Sequence, residues 1–282
     1  MPKMLKKALE NVLTINETKQ LYGGFDILGD IAVIKIPDAL LNKKFIIAEA
    51  IIDSMKSVKT VLRQVTPVSG DYRTRDLEHV LGEDKTLTLY KEHGCIFKVD
   101  LAKVYFSPRL STERIRISRK VEHGETVVNM FAGVGSFSIL IAKHQPSSTI
   151  YSIDINPDAY NLMLENIKLN KVSNRVIPLL GDARVIIEDS LKEVADRVLM
   201  PLPEKAIDYI DAALMALKPK GVIHYYTHVH ASKDEDPIEK AVREVNGRLK
   251  TNYTILESKI VREVGPRWHQ LVLDLLINKE KF

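Results

Sequence analysis

From Thr126 onward, short apolar runs of strand type alternate with stretches whose apolar positions recur at helical spacing. Residues 126–131 predict a strand leading to a helix over 135–144, and 149–153 lead in the same way to 157–170. A strand over 175–180 runs into Gly181-Asp182-Ala183 and a helix over 183–190. Next come a strand near 197–200, a helix over 203–217 and a strand over 221–227. A helix of mixed charge near 235–248 precedes strands over 252–262 and 269–277. Asn156-Pro157 marks a helix start, a cap residue followed by proline at the first helical position, and Asn170 marks that helix's end. Strands alternating with helices predict an α/β fold, a doubly wound, mainly parallel, Rossmann-like sheet.

Residues 1–108 follow a different pattern. Two short strands are predicted within Leu21–Pro37, around Gly23-Gly24 and Gly29-Asp30. Residues 39–57 have helical periodicity, and 58–65, 87–90 and 95–99 read as further strands. This predicts a smaller α+β domain that either grips or orients a substrate or is merely structural, joined at Phe106-Ser107-Pro108-Arg109 to the domain spanning 109–282.

Composition narrows the function classes. The chain has 282 residues, 45% hydrophobic and 28% charged, as in ordinary soluble proteins of one large or two small domains. No apolar run reaches membrane-spanning length, and the N-terminus lacks the apolar core of a signal peptide, so a cytoplasmic location is expected. A single cysteine, Cys95, excludes internal disulfides and a cysteine-built metal site. The net charge of +4 leans towards a polyanionic partner. Its distribution says more, because Arg109, Arg114, Arg116, Arg119 and Lys120 surround one acid, Glu113.

The strand at 126–131 breaks into the small-residue turn Phe131-Ala132-Gly133-Val134-Gly135. Asp154, 19 residues beyond Gly135, closes the next strand at the spacing of a carboxylate that reaches a ribose hydroxyl. The third glycine of a pyrophosphate-binding loop is missing, so a nucleoside cofactor without phosphates fits better, with S-adenosylmethionine the leading choice. Ligands of such sheets sit at the carboxyl ends of the strands. That gathers Phe131–Gly135, Asp154-Ile155, Asp182-Ala183 and Met200-Pro201-Leu202-Pro203 around one crevice. Asp182 can accept from an adenine amino group, or simply form a turn after its strand.

Pro201 has no backbone donor and Glu204 stands where methyltransferases acting on exocyclic amines place an aromatic, so that chemistry is disfavoured. Cytosine C5 methylation needs a thiol nucleophile, and Cys95 lies in a strand pattern ahead of the turn. The remaining candidate is Glu113 as general base towards a purine ring nitrogen, with Arg73 and Arg75 balancing charge on the base. The competing reading makes Glu113 a surface ion-pair partner of Arg109 or Arg116. His224, His228 and His230 have an almost metal-like spacing but no carboxylate at matching positions, so no metal site is expected.

Several strings together resemble the archaeal and eukaryotic tRNA methyltransferases that modify the guanosine just 3′ of the anticodon. They are Tyr72-Arg73-Thr74-Arg75, Lys98-Val99-Asp100, Val104-Tyr105-Phe106-Ser107-Pro108-Arg109 and Thr112-Glu113-Arg114. Val128-Asn129-Met130-Phe131-Ala132-Gly133-Val134-Gly135, Asp154-Ile155-Asn156-Pro157, Asn166-Ile167-Lys168-Leu169-Asn170 and Gly181-Asp182-Ala183-Arg184 complete the set. The resemblance implies a class I methyltransferase domain and S-adenosylmethionine at Arg114, Phe131, Ala132, Gly133, Gly135, Asp154, Ile155, Asp182, Ala183 and Pro201. It also implies that Tyr105 and Glu113 hold and deprotonate the target base, assisted by Arg73 or Arg75. Arg109, Arg116, Arg119 and Lys120 are expected to hold phosphates of the anticodon loop. The implied partner is tRNA, tRNA-Phe in particular, with the protein acting as a monomer.

Two departures shape the expectation. Members of the family commonly begin with an extra domain that touches the outer corner of the tRNA, and this chain is expected to start after it. The family's Asn-Leu-Pro appears as Pro201-Leu202-Pro203, which resembles the subgroup linked to wyosine synthesis. That subgroup methylates C7 of 4-demethylwyosine, some members also N1 of guanosine, so Pro201 and Pro203 join the candidate catalytic set. A sister family transfers an aminocarboxypropyl group to the same position, but Arg109 and Leu202-Pro203 favour methyl transfer. The different-class alternative is a non-catalytic tRNA-binding protein of the same fold, against which the intact turn, Asp154 and Asp182 argue.

Overall fold

The computed structural model describes residues 2–22 and 24–279, so Gly23 of the expected first turn lies outside the described residues. The chain divides into two compact units, Met1–Pro108 and Arg109–Phe282.

The first unit opens with two short helices that the pattern does not announce, α1 (Pro2–Ala8) and α2 (Ile15–Gln20). Thr14 and Glu17 cap α2 reciprocally, which lets six residues hold a helix. Strands β1 (Phe25–Leu28) and β2 (Ile31–Ile34) form a hairpin. The helix expected over 39–57 splits into a 3-10 turn, Asp38–Lys43, and α3 (Lys44–Ser54). Strand β3 (Thr60–Gln64) lies parallel to β2, and β4 (Leu77–Gly82) is antiparallel to β3 at the sheet edge. β4 escaped the pattern because only Val80 of its six residues is buried. β5 (Leu87–Glu92) and β6 (Cys95–Asp100) make a separate hairpin. Leu5, Leu9, Ile34, Leu40, Ile47 and Ile51 are among the fully buried side chains of this core.

The second unit starts with α4 (Ser111–Lys120) and continues as a seven-stranded sheet. In chain order its elements are β7 (Thr126–Asn129), α5 (Ser136–His144), β8 (Thr149–Asp154), α6 (Pro157–Leu169), β9 (Val176–Leu180) and α7 (Ala183–Ser190). Then follow β10 (Ala195–Met200), α8 (Ile210–Ala216), β11 (Leu217–His230), α9 (Pro237–Arg248), β12 (Tyr253–Gly265) and β13 (Trp268–Asn278). Across the sheet the order is β12-β13-β11-β10-β7-β8-β9, with β13 inserted antiparallel between β11 and β12. The doubly wound, mainly parallel sheet is thus present.

One expected element changes character. The helix read over 203–217 is a loop, a 3-10 turn at Ala206–Tyr209 and the short α8. Pro201 cannot donate to a ladder or helix, and Leu202 N–H instead closes a tight turn on the Met200 carbonyl at 2.9 Å. β7 and β10 lie centrally, with Val127, Val128, Val198 and Leu199 at 0% exposure, which fixes where their carboxyl ends present loops.

Candidate active site

The turn after β7 is built from two left-handed residues, Gly133 at φ 57° and Gly135 at φ 84°. A side chain at 135 would bring its Cβ within 2.9 Å of Met163, so the close packing of α6 also requires glycine there. Asp154, at the end of β8, clamps this turn. Its carboxylate accepts the Gly133 N–H at 2.6 Å and the Asn156 N–H at 2.9 Å. Burial pushes Asp154 above the usual carboxylate range, and the two N–H groups oppose that shift. Ile155, next in the chain, is 46% exposed and offers an apolar face beside the carboxylate.

Asp182 caps α7 and accepts the N–H groups of Arg184 and Val185 on one oxygen. Its other oxygen accepts the Tyr209 hydroxyl at 2.6 Å. The Tyr209 ring meets Phe131 edge to face at 5.2 Å, and the Arg184 guanidinium lies over it at the same distance. Tyr209 thereby joins two predicted residues, Phe131 and Asp182. No local sequence signal marks it, because its partners lie 27 and 78 residues away along the chain. Whether a nucleoside fits is decided by this set: two carboxylates with outward lone pairs, apolar faces at Phe131 and Ile155, and a backbone approached closely at Gly133. The unpaired, fully buried Asn129 Oδ1 just before the turn adds an acceptor. This fits S-adenosylmethionine, with Asp154 suited to the ribose and Asp182 to the adenine edge. Ala183 is buried beneath this edge. Pro201 and Leu202 are half-buried at the end of β10, and Pro203 is buried.

Glu113 is neither a surface residue nor an isolated carboxylate. It is 2% exposed, and Arg116 grips it with two bonds, Nη2 to Oε1 at 2.7 Å and Nε to Oε2 at 2.8 Å. The Tyr226 hydroxyl of β11 donates to the same Oε1 at 2.7 Å. Arg116 Nη1 reaches Asp274 of β13 at 2.7 Å and Glu257 of β12 at 3.1 Å. Asp274 also accepts from His224 Nδ1 at 2.5 Å, while His224 Nε2 faces Arg197 Nη1 at 2.8 Å. Arginine can only donate, so Nε2 is the acceptor and the ring proton sits on Nδ1. Burial lowers the His224 pKa and keeps it neutral. For Asp274 burial works against the charge, but the bond from His224 and the Arg116 guanidinium outweigh it and hold the carboxyl well below its usual range.

This network corrects two expectations. Arg116, 12% exposed, and Lys120, paired with Glu257 at 2.6 Å, turn inward to acids of β12 and β13 instead of presenting themselves to nucleic acid. Helical spacing puts 113, 116 and 120 on the sheet-facing side of α4. Arg109 and Arg119 are exposed, whereas Arg114 is fully buried. His224 belongs to the network, His228 lies 3.5 Å from Glu204, and the His230 ring packs against Trp268 at a tilt of 57°. No cluster of metal-ligating side chains occurs among the described residues.

In the first unit the structure distinguishes the two arginines. A turn closed by Arg73 N–H on the Gly70 carbonyl holds Arg73 at φ 52°, and its guanidinium stacks over the Tyr105 ring at 4.2 Å. Arg75 instead donates to Gln64 at 3.2 Å. Phe106, packed against Tyr90 and Phe97 of the β5–β6 hairpin, anchors Tyr105. A non-glycine residue in the left-handed region costs about 1–3 kcal/mol and tends to mark functional sites.

Comparison with known proteins agrees with this geometry. Residues 88–256 match the model of the TRM5/TYW2 methyltransferase domain, and residues 5–86 that of the TYW2 N-terminal domain. The chain is 40% identical over 257 residues to the tRNA (guanine(37)-N(1))-methyltransferase Trm5b of Pyrococcus abyssi, covering 90% of this chain and 74% of that protein. It is 38% identical over 268 residues to the tRNA 4-demethylwyosine(37)-methyltransferase Taw21 of Saccharolobus solfataricus, covering 94% and 97%. The solved structure of TYW2 from P. horikoshii in complex with MeSAdo matches with a TM-score of 0.78 at 29% identity, covering 99% of this chain and 100% of that one.

Proposed function

The chain belongs to the TRM5/TYW2 methyltransferase family, and from that premise we propose that it methylates the purine at position 37 of tRNA, preferring C7 of 4-demethylwyosine to N1 of guanosine. The observation that carries the preference is Pro201 at the carboxyl end of β10, held by the Met200–Leu202 turn. Its ring offers no donor or acceptor to a guanine edge but an apolar surface for a larger tricyclic base. Within the same proposal, tRNA-Phe is the substrate and the protein acts as a monomer in the cytoplasm, a reading supported by the tRNA-modifying relatives. Among the described residues no helix is long and apolar enough to cross a membrane.

S-adenosylmethionine, when bound, would supply an activated methyl carried on a sulfonium whose sulfur keeps the electron pair once the methyl has left. Asp154 would hold the ribose and Asp182 the adenine edge. A base in the anticodon loop must be turned out of its stack to be reached. Tyr105 and Arg73 would hold it through the ring face and the guanidinium. Glu113 would accept the proton that C7, or N1 in the guanosine reaction, releases. Much of the rate enhancement is then positioning.

The test incubates the protein with S-adenosylmethionine and tRNA-Phe bearing either guanosine or 4-demethylwyosine at position 37, then weighs the digested nucleosides. Methyl gain on the tricyclic base with little on guanosine is expected. Efficient methylation of guanosine and none of the tricyclic base overturns the preference. A gain of an aminocarboxypropyl group assigns the sister reaction instead.

A further inference from the structure

A carboxylate offers about four lone-pair directions. Glu113 has both directions of Oε1 taken, by the Tyr226 hydroxyl and Arg116 Nη2, each at 2.7 Å. Arg116 Nε takes one direction of Oε2 at 2.8 Å. One acceptor position therefore remains, on Oε2. The donors are fixed in turn. Arg116 is tied to Asp274 and Glu257, Asp274 to His224, and the Tyr226 ring packs against Phe137 at 6.3 Å. The carboxylate cannot rotate without breaking its bond to Tyr226 of β11 and both bonds to Arg116, which β12 and β13 hold in place.

From this geometry we infer that Tyr226 and Arg116 are positioning residues, which aim the single open acceptor direction of Glu113 at the leaving proton of the substrate base. The inference rests on the reading of Glu113 as proton acceptor. It deepens that reading by assigning the aim to β11 and β13 rather than to α4 alone. Tyr226 is the sharper probe. Phenylalanine at 226 keeps the ring against Phe137 and deletes only the hydroxyl.

The experiment is a double-mutant cycle read in kcat and KM. Tyr226→Phe should lower kcat about tenfold, the usual weight of one hydrogen bond to a charged group. KM for tRNA and affinity for S-adenosylmethionine should stay within about twofold, because neither contact is touched. In a Glu113→Gln background the same change should lower kcat by no more than about twofold, as no carboxylate remains to be aimed. Melting curves and S-adenosylmethionine titration show that each variant is folded. Arg116→Lys, which keeps the charge but loses the two-pronged grip, gives a second reading of the same cycle. Wild-type kcat in Tyr226→Phe, or losses that multiply in the double variant, overturns the inference and leaves the role of Glu113 standing. Full turnover in Glu113→Gln overturns that role and the inference together.

Discussion

The Asp154 carboxylate accepts Gly133 N–H on one oxygen and Asn156 N–H on the other, which leaves its remaining lone pairs for the ribose hydroxyl proposed above. Asp154→Ala should therefore remove a ligand contact and loosen the turn at once. Losing a hydrogen bond to a charged group costs roughly 1.5–3 kcal/mol, so S-adenosylmethionine affinity should fall about tenfold or more. Unchanged affinity by calorimetry would take Asp154 out of the site. At Pro201 the expected change is one of preference, not strength. Asparagine there supplies a donor and an acceptor to a guanine edge, so Pro201→Asn should raise guanosine methylation relative to 4-demethylwyosine. Identical product ratios in the two proteins would make the proline incidental. Asp154 and Asp182 were recognisable as candidates in the sequence because one ends β8 and the other lies two residues beyond β9, at the carboxyl ends of strands. Tyr209 and Tyr226 were not, since what distinguishes them is a partner far along the chain.

At the scale of elements, α4, β11 and β13 are joined by a run of buried charge from Glu113 to Arg197, and burial makes it sensitive to acid. His224 binds a proton less readily folded than unfolded, so its contribution is present above the unfolded histidine value, about 6.5, and is lost as pH falls below it. Asp274 is held below the carboxylate range, so its contribution exists above about 4 and is lost as pH falls further. Both act in the same direction. The melting temperature should drop between pH 7 and 5, and His224→Gln should flatten that limb of the profile. An unchanged slope in the variant would mean that another group sets it. Asp274→Ala leaves Arg116 and His224 facing a lost acceptor and should cost about 3–5 kcal/mol. The sheet itself was readable because short apolar runs such as Val127-Val128 and Val198-Leu199-Met200 alternate with stretches of helical spacing. The run 203–217 was misread because Pro203 and the apolar residues after it imitate a proline-started helix, while the chain needs a loop where β10 ends. Glu113 was recognisable as a candidate, but the bond of its partner Arg116 to Asp274 spans 158 residues, and no local pattern records that.

For the molecule as a whole, a net charge of +4 says little about where an RNA would lie. Four of the five basic residues of 109–120, Arg109, Arg116, Arg119 and Lys120, are expected from sequence to hold phosphates, and Arg114 the cofactor. The fold divides them: Arg109 and Arg119 are exposed, Arg114 is fully buried, and Arg116 and Lys120 are neutralised by Glu113, Glu257 and Asp274. Only an exposed, unneutralised cation releases counterions when RNA arrives. Each phosphate contact contributes about 0.7–0.9 to the slope of log affinity against log salt. Arg119→Ala should reduce that slope for tRNA by about this amount, with melting temperature nearly unchanged. Arg116→Ala should do the reverse, lowering the melting temperature by breaking a buried network while leaving the salt slope of the still-folded protein intact. Filter binding across a salt series, paired with melting curves, separates the two classes. A slope that falls for Arg116→Ala but not for Arg119→Ala would show that RNA binding reopens the network and recruits the inner arginine.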